Sequence, residues 1–268
     1  EAIYKKMQKI PAFFYKIAMM AKNSLDAMRL ICWAKKNKGK LIAISMGSYG
    51  QISRILGPIM GCPITYAKLE EDQTSAPGQL SAKTLIERYR YRSLTSHTAV
   101  YGLIGDPVEQ SISEKTHNRL IAVSRLDAVY VKIQVSPSEL SDFLQLAKQL
   151  PFLGLSVTMP LKEEIVPLLE EIDVQARDIG AVNTLLFEEG EMFGYNTDGI
   201  GALDAIENEF LVEGKRIVII GAGGASKAIA YEAKRRGAQV IIINRDDRKA
   251  SEIAERLHCI GKGLEHMK

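Results

Sequence analysis

The chain has 268 residues, 46% hydrophobic and 25% charged, ordinary values for a globular protein able to bury a sizeable core without staples. Its net charge of +3, from 35 basic and 32 acidic residues, lacks the clustered excess that a nucleic-acid-binding face needs. Cys32, Cys62 and Cys259 have neither metal-ligand nor redox-motif spacing, so no metal site is expected and a reduced, cytoplasmic setting is. The most apolar N-terminal stretch, Pro11 to Ala21, is interrupted by Lys16 and is too short to cross a bilayer, which argues against a membrane anchor.

The chain opens inside an expected helix, Ala2 to Gln8, so upstream sequence is expected too. Phe13 to Met19 reads as a strand, Ser24 to Lys36 as a helix and Leu41 to Ser45 as a second strand. A short helix follows around Gln51 to Leu56, then a third strand, Ile64 to Ala67, and a helix from Ser81 to Tyr91. The polar, aperiodic run Arg92 to Thr98 is the candidate linker. Beyond it strands alternate with helices: Val100 to Ile104, Glu114 to Val123, Val129 to Val135, Ser138 to Lys148, Phe152 to Val157 and Leu161 to Glu170. Thr184 to Glu188 and Met192 to Tyr195 flank Glu189-Gly190-Glu191 as a hairpin, and a helix starts at Thr197. Arg216 to Ile220, Ser226 to Arg236 and Val240 to Ile243 make a βαβ unit, followed by one more helix, Arg248 to Leu257. The alternation is that of an α/β protein. Two strands are few for a nucleotide-binding sheet, so the C-terminus is also expected to be truncated. The basic runs Lys35-Lys36-Asn37-Lys38 and Lys234-Arg235-Arg236 fall at helix ends, where cations complement the macrodipole.

Gly221-Ala222-Gly223-Gly224-Ala225-Ser226 joins the apolar strand Ile217 to Ile220 to a helix. Glycines let the backbone turn sharply and approach a pyrophosphate, and the helix N-terminus offers free N–H groups. The second strand ends in Asn244-Arg245, with Arg248 and Lys249 close behind, where an NAD-binding unit usually carries an acid for the ribose. Guanidinium donors suit a 2′-phosphate, which favours NADP. Asp246 and Asp247 complicate this, since either could repel the phosphate or accept from a ribose hydroxyl.

Three further segments carry polar groups at helix starts. Ser111 and Ser113 lie where a helix begins and could bind a small carboxylate, or Ser113 could simply be an N-cap. In Ser156-Val157-Thr158-Met159-Pro160-Leu161-Lys162 the lysine sits just inside a helix, where surface solvation is its usual fate. Asp198, in Asn196-Thr197-Asp198-Gly199, could be plain dipole compensation, and Asn183 precedes a strand. Taken together these motifs resemble the shikimate dehydrogenase family over about residues 99 to 260. The resemblance implies that Ser111 and Ser113 hold the substrate carboxylate and that Thr158, Asn183, Lys162 and Asp198 surround the ring hydroxyls. Lys162 and Asp198 would be the catalytic pair, with Gly221, Ala222, Gly223, Gly224, Ala225, Asn244, Arg245 and Lys249 around the NADP. Ser156, also assigned to the substrate, stands where many bacterial members have asparagine and resembles the plant and chlamydial-type fused enzymes. The family's late glutamine-bearing helix would fall after Lys268.

At the N-terminus, Lys16 interrupts Phe13 to Met20, where a charge is costly unless it serves chemistry or faces solvent. Ser45-Met46-Gly47 with Gln51 to Arg54, and Ser75 to Gln79, follow later strands, where barrel enzymes gather catalytic groups. This is similar to the C-terminal part of type I 3-dehydroquinate dehydratase over about residues 1 to 92. The resemblance implies a Schiff base at Lys16, a carboxylate contact at Arg54 and a closing loop bearing Ser75 and Gln79. That family's histidine has no counterpart in this chain, which leaves the dehydratase half incomplete.

The expected architecture is therefore α/β throughout. It comprises the C-terminal part of a (β/α)8 barrel (1–95), a substrate-binding domain (96–200) and a partial Rossmann NADP-binding domain (201–268). The resemblance implies small-molecule substrates, 3-dehydroquinate, 3-dehydroshikimate and shikimate, on the route to aromatic amino acids. It implies a cytoplasmic enzyme, or a plastid one if the parent is a plant protein. A quinate-accepting relative and a non-catalytic ligand-binding fragment are the alternatives.

Overall fold

The computed structural model describes residues 1–69 and 76–266. They form two compact units, Glu1–Thr158 and Met159–Lys268. This division by packing is a different cut from the partition at 95/96 and 200/201.

The first unit opens with α1 (Ala2–Met7), β1 (Tyr15–Met20), α2 (Ser24–Lys36), β2 (Leu41–Met46) and α3 (Gln51–Ile55). Asn23 caps α2 by accepting from the Asp26 N–H, and Lys35 and Lys36 close its last turn, as the dipole favours. The strands β1 and β2 pair in parallel, Lys16 opposite Ile42. The strand expected at Ile64 to Ala67 is not formed; only an isolated bridge joins Lys68 to Ser81. The helix expected from Ser81 to Tyr91 contains a π-turn, Thr84–Arg88, and Tyr91–Ser93 tightens into a 3₁₀ turn.

The same unit continues with β3 (Ala99–Gly105), α4 (Ser113–Val123), β4 (Ala128–Gln134), α5 (Leu140–Ala147) and β5 (Phe152–Val157). The parallel strands β4 and β5 flank β3. Thr98, fully buried, donates to Asp127 at 2.7 Å and anchors the expected linker to this sheet. The helix α2 lies along α5, where Lys35 donates to the Gln149 carbonyl at 2.8 Å and Arg29 pairs with Asp142 at 3.4 Å.

The second unit comprises α6 (Leu161–Glu164), β6 (Glu171–Ile172), α7 (Val174–Ile179), β7 (Thr184–Glu188), β8 (Glu191–Tyr195) and α8 (Asp198–Glu207). It ends with β9 (Arg216–Ile220), α9 (Gly224–Arg235), β10 (Gln239–Asn244), α10 (Asp247–Leu257) and β11 (Ile260–Gly263). The helix expected to reach Glu170 stops at Glu164. Pro167 lacks an N–H and turns the chain into a 3₁₀ segment, Val166–Leu168. The hairpin between β7 and β8 turns through Glu189 (φ 51°) and Gly190 (φ 89°), both left-handed, as a tight two-residue connection requires. In the final sheet β10 pairs in parallel with β9 and β11, and the core beneath it includes Leu203, Ile219, Ala230, Val240, Ile242 and Ile253.

The third strand, β11, corrects the expectation of two. Its Ile-Gly-Lys-Gly composition has little strand character, and Gly261 is there because a Cβ would stand 2.5 Å from the Ala250 carbonyl oxygen of α10. The helix passes too close for any side chain.

Candidate active sites

The loop after β9 turns at Gly221, whose φ of +121° suits glycine alone. A Cβ at Gly223 would meet nothing within 4 Å, so the backbone there is open to an incoming ligand. Gly224 starts α9 hard against its neighbours, since a Cβ would lie 3.1 Å from the Lys162 Cβ and 3.2 Å from the Ala181 Cβ. A cavity of about 580 Å³ runs from Ala222 and Gly223 along Asn244, Arg245 and Lys249. Ala225, in the first turn of α9, belongs to the same loop but not to the cavity lining.

Asp246 settles into a local role. Its carboxylate caps α10, accepting from the N–H groups of Arg248 (3.1 Å) and Lys249 (3.4 Å). The Arg245 and Lys249 side chains have no hydrogen bond or ion pair among the described residues and remain available to an anion. Two lining cations escaped the sequence reading, and both are engaged: Lys227 with Glu163, and Arg256 with the Arg177 carbonyl at 2.7 Å. The open turn, the bare helix N-terminus and the free cations fit a phosphorylated dinucleotide.

Lys162 and Asp198 form a short ion pair, with side chains 16% and 24% exposed, so neither is a solvated surface group. The Asp198 carboxylate also accepts from Asn183 Nδ2 at 2.8 Å. Asn183 is itself held on several sides: its Nδ2 donates to Thr197 Oγ1 at 2.9 Å, and its Oδ1 accepts from the Thr197 N–H at 3.0 Å and from the Thr184 hydroxyl at 2.9 Å. The backbone of Lys162 is tied in turn, because the Val182 N–H donates to its carbonyl at 2.8 Å.

The sequence reading did not single out Asn196. Buried, it donates to the Ala181 carbonyl at 2.8 Å and accepts from the Asp198 N–H at 3.0 Å, so it sets the first turn of α8. An asparagine two residues before a helical acid was the available signal. Gly199 completes the arrangement: a Cβ would stand 2.3 Å from the Ala228 carbonyl, so α8 can approach α9 only with glycine there.

In the first unit, Ser111 and Ser113 are half-buried at the head of α4 with their hydroxyls 3.0 Å apart. Ser113 is not the N-cap; it is the first helical residue, and its N–H donates to Ser111 Oγ at 3.2 Å. Ser156 and Thr158 are half-buried at the end of β5 and just beyond it, and the Thr158 N–H donates to the Ile104 carbonyl at 2.9 Å.

The barrel-type residues are less gathered. Lys16 is exposed on β1, its ammonium 3.9 Å from the centre of the Tyr66 ring, whose negative face attracts it. Arg54, on α3, is buried and donates to the Tyr66 carbonyl at 3.1 Å, while its Nε has no partner among the described residues. Burial pushes its guanidinium down from the ordinary value. Lys16 and Arg54 thus both touch Tyr66. Gln79 is buried on a loop that docks at the end of β2, where the Gly47 N–H donates to the Pro77 carbonyl at 3.0 Å. Gly78 permits that docking: a Cβ would stand 1.9 Å from the Gly47 carbonyl oxygen. Ser75 lies outside the described residues.

A lysine–carboxylate pair beside the glycine turn of a parallel βαβ unit defines the class, a dinucleotide-binding α/β fold of dehydrogenase type. Comparison with known proteins is more specific. Residues 1–96 match the type I 3-dehydroquinase model, 103–185 the shikimate dehydrogenase substrate binding domain, and 204–267 shikimate / quinate 5-dehydrogenase. The chain is therefore similar to two families in succession, type I 3-dehydroquinase and then shikimate dehydrogenase.

Shikimate biosynthesis protein AroDE of Chlamydia pneumoniae is 38% identical over 263 residues, covering 98% of this chain and 54% of the relative. The chloroplastic bifunctional 3-dehydroquinate dehydratase/shikimate dehydrogenase of Arabidopsis thaliana is 38% identical over 280 residues, covering 98% of this chain and 46% of the relative. The chain thus spans about half the length of these curated relatives. Shikimate 5-dehydrogenase from Thermus thermophilus, solved in complex with NADP(H) and shikimate, is 30% identical with a TM-score of 0.57, covering 62% of either chain. Among the described residues no helix is long and apolar enough to cross a membrane.

Proposed function

We propose that this chain carries the residues for NADPH-dependent reduction of 3-dehydroshikimate to shikimate, with Lys162 and Asp198 as the catalytic pair. The carrying observation is that pair itself, held by Asn183 and packed against the glycine turn. Reducing a ketone takes a hydride at carbon and a proton at oxygen. NADPH, when bound, supplies the hydride. Lys162 Nζ supplies the proton, and Asp198 orients the ammonium while Asn183 fixes the carboxylate's other oxygen. Arg245 and Lys249 take the 2′-phosphate, and Gly221 to Ala225 cradle the pyrophosphate. Ser111 and Ser113 hold the substrate carboxylate, with Ser156 and Thr158 on the ring hydroxyls. The Thermus thermophilus complex with NADP(H) and shikimate supports the choice of ligands.

For the first segment the proposed chemistry is dehydration of 3-dehydroquinate through a Schiff base on Lys16, with Arg54, Ser75 and Gln79 as substrate contacts. The type I 3-dehydroquinase match supports it. The proposed partition is 1–95 for the barrel part, 96–200 for substrate binding and 201–268 for the cofactor. Three free cysteines suit a reducing compartment such as the cytoplasm.

The test is turnover. Lys162→Ala and Asp198→Asn are each expected to cut kcat for shikimate oxidation about 10²- to 10⁴-fold. Wild-type turnover in both would reject the assignment. Quinate turnover, measured alongside, separates the two acids grouped under the third family model.

A further inference from the structure

Glu114 directly follows Ser113, and it is buried at 4% exposure. A buried carboxylate is costly unless hydrogen-bonded and paired. Its partners come from the dehydratase-type segment. The Tyr89 hydroxyl donates to Glu114 Oε1, and Arg88 Nη1 lies 3.4 Å from Oε2. Tyr89 is 3% exposed, and burial together with the Glu114 charge holds its phenol well above the usual range, so it stays a donor.

The other end of the serine loop is held in a related way. Lys132 Nζ, on β4, donates to the Glu109 carbonyl at 3.0 Å and to the Ser111 carbonyl at 3.4 Å. Gln134 Nε2 donates to Asp106 at 2.7 Å, and the Gln134 carbonyl accepts from Ser24 Oγ at 2.5 Å. A small cavity of about 150 Å³ is lined by Ser24, Arg88, Tyr89, Glu114, Lys132 and Gln134. Residues of the first 96 therefore reach the supports of the loop from two directions.

We propose that Tyr89 and Arg88 are positioning residues for the Ser111–Ser113 pair, acting through Glu114. The dehydratase-type segment then sets the affinity of the dehydrogenase-type segment for its acid substrate. The Glu114 carboxylate fixes the rotation of the first turn of α4, and that rotation aims both serine hydroxyls. This rests on the reading of those serines as the carboxylate site.

The experiment is steady-state shikimate oxidation by the full chain, comparing wild type, Tyr89→Phe, Glu114→Gln, Ser111→Ala and the Tyr89→Phe/Ser111→Ala double variant. Tyr89→Phe and Glu114→Gln are each expected to raise the shikimate KM about fivefold, with kcat and the NADP KM within about twofold of wild type. In the Ser111→Ala background Tyr89→Phe should raise KM less than it does in wild type, because part of its effect passes through Ser111. If Ser111→Ala raises KM and the Tyr89 and Glu114 variants do not, the positioning role is overturned while the serine reading stands. If Ser111→Ala leaves KM unchanged, the serine reading falls and the positioning role with it. An equal fall in kcat and loss of NADP affinity, with lowered melting temperature, would mark a merely structural contact and also overturn it.

Discussion

Lys162 and Lys16 are both lysines assigned to chemistry, and their surroundings differ sharply. Lys162 has a carboxylate partner, and the asparagine that orients that carboxylate is itself bonded to Thr197 and Thr184. Lys16 stands on the exposed face of a two-stranded sheet, and an aromatic ring is its neighbour. The first arrangement is assembled by loops lying within a few dozen residues of one another, each pinned by backbone hydrogen bonds. The second belongs to a fold whose catalytic groups converge only where several parallel strands come together. The contrast teaches that a polar site becomes rigid when every member answers to a nearby backbone group. A barrel site depends on neighbours delivered from far along the chain.

Three measurements probe this contrast. The largest expected effect is all-or-none. In the full-length protein, borohydride with 3-dehydroquinate should leave a reduced adduct on Lys16, and Lys16→Ala should carry none by mass spectrometry. A label that persists in the variant would place the imine elsewhere and dissolve the comparison between the two lysines. Next, Arg245→Ala should raise the NADPH KM roughly thirtyfold while sparing NADH, the loss of a charge-assisted contact to a phosphate. Equal losses with both cofactors would remove the 2′-phosphate role. The smallest effect is expected at Asn196→Ala. Losing its two buried hydrogen bonds should cost about 1–3 kcal/mol, seen as a melting temperature lower by several degrees. The variant should lose kcat with little change in the NADPH KM, and one that melts and turns over like wild type would show that the site's rigidity does not rest on these bonds.

Much of this protein was legible in the residues alone. The strand, glycine turn, helix and second strand around Gly221 appear where expected, because a period-2 apolar run and a helical repeat are local signals. The hairpin at Glu189-Gly190 was equally plain, since two left-handed residues need glycine at one of them. The small helix α7 was missed, although Asp173 caps it and Gly180 ends it at φ 72°. Its six residues are too few to show a periodicity.

Other features were decided only in three dimensions. Ile64 to Ala67 has strand composition and forms no strand, because pairing needs a partner as well as propensity. Ile260–Gly263 has poor strand composition and forms one, because β10 offers it an edge and α10 leaves room only for Gly261. The same holds for the sites. Lys162, Asp198 and Asn183 could be named from their motifs, but their mutual bonds, and the engagement of Glu114 by Tyr89, join residues of separate elements. Local sequence determines which face a segment buries and where the chain turns. Which donor meets which acceptor is settled by packing, since a buried polar group takes the partner that the folded chain brings within reach.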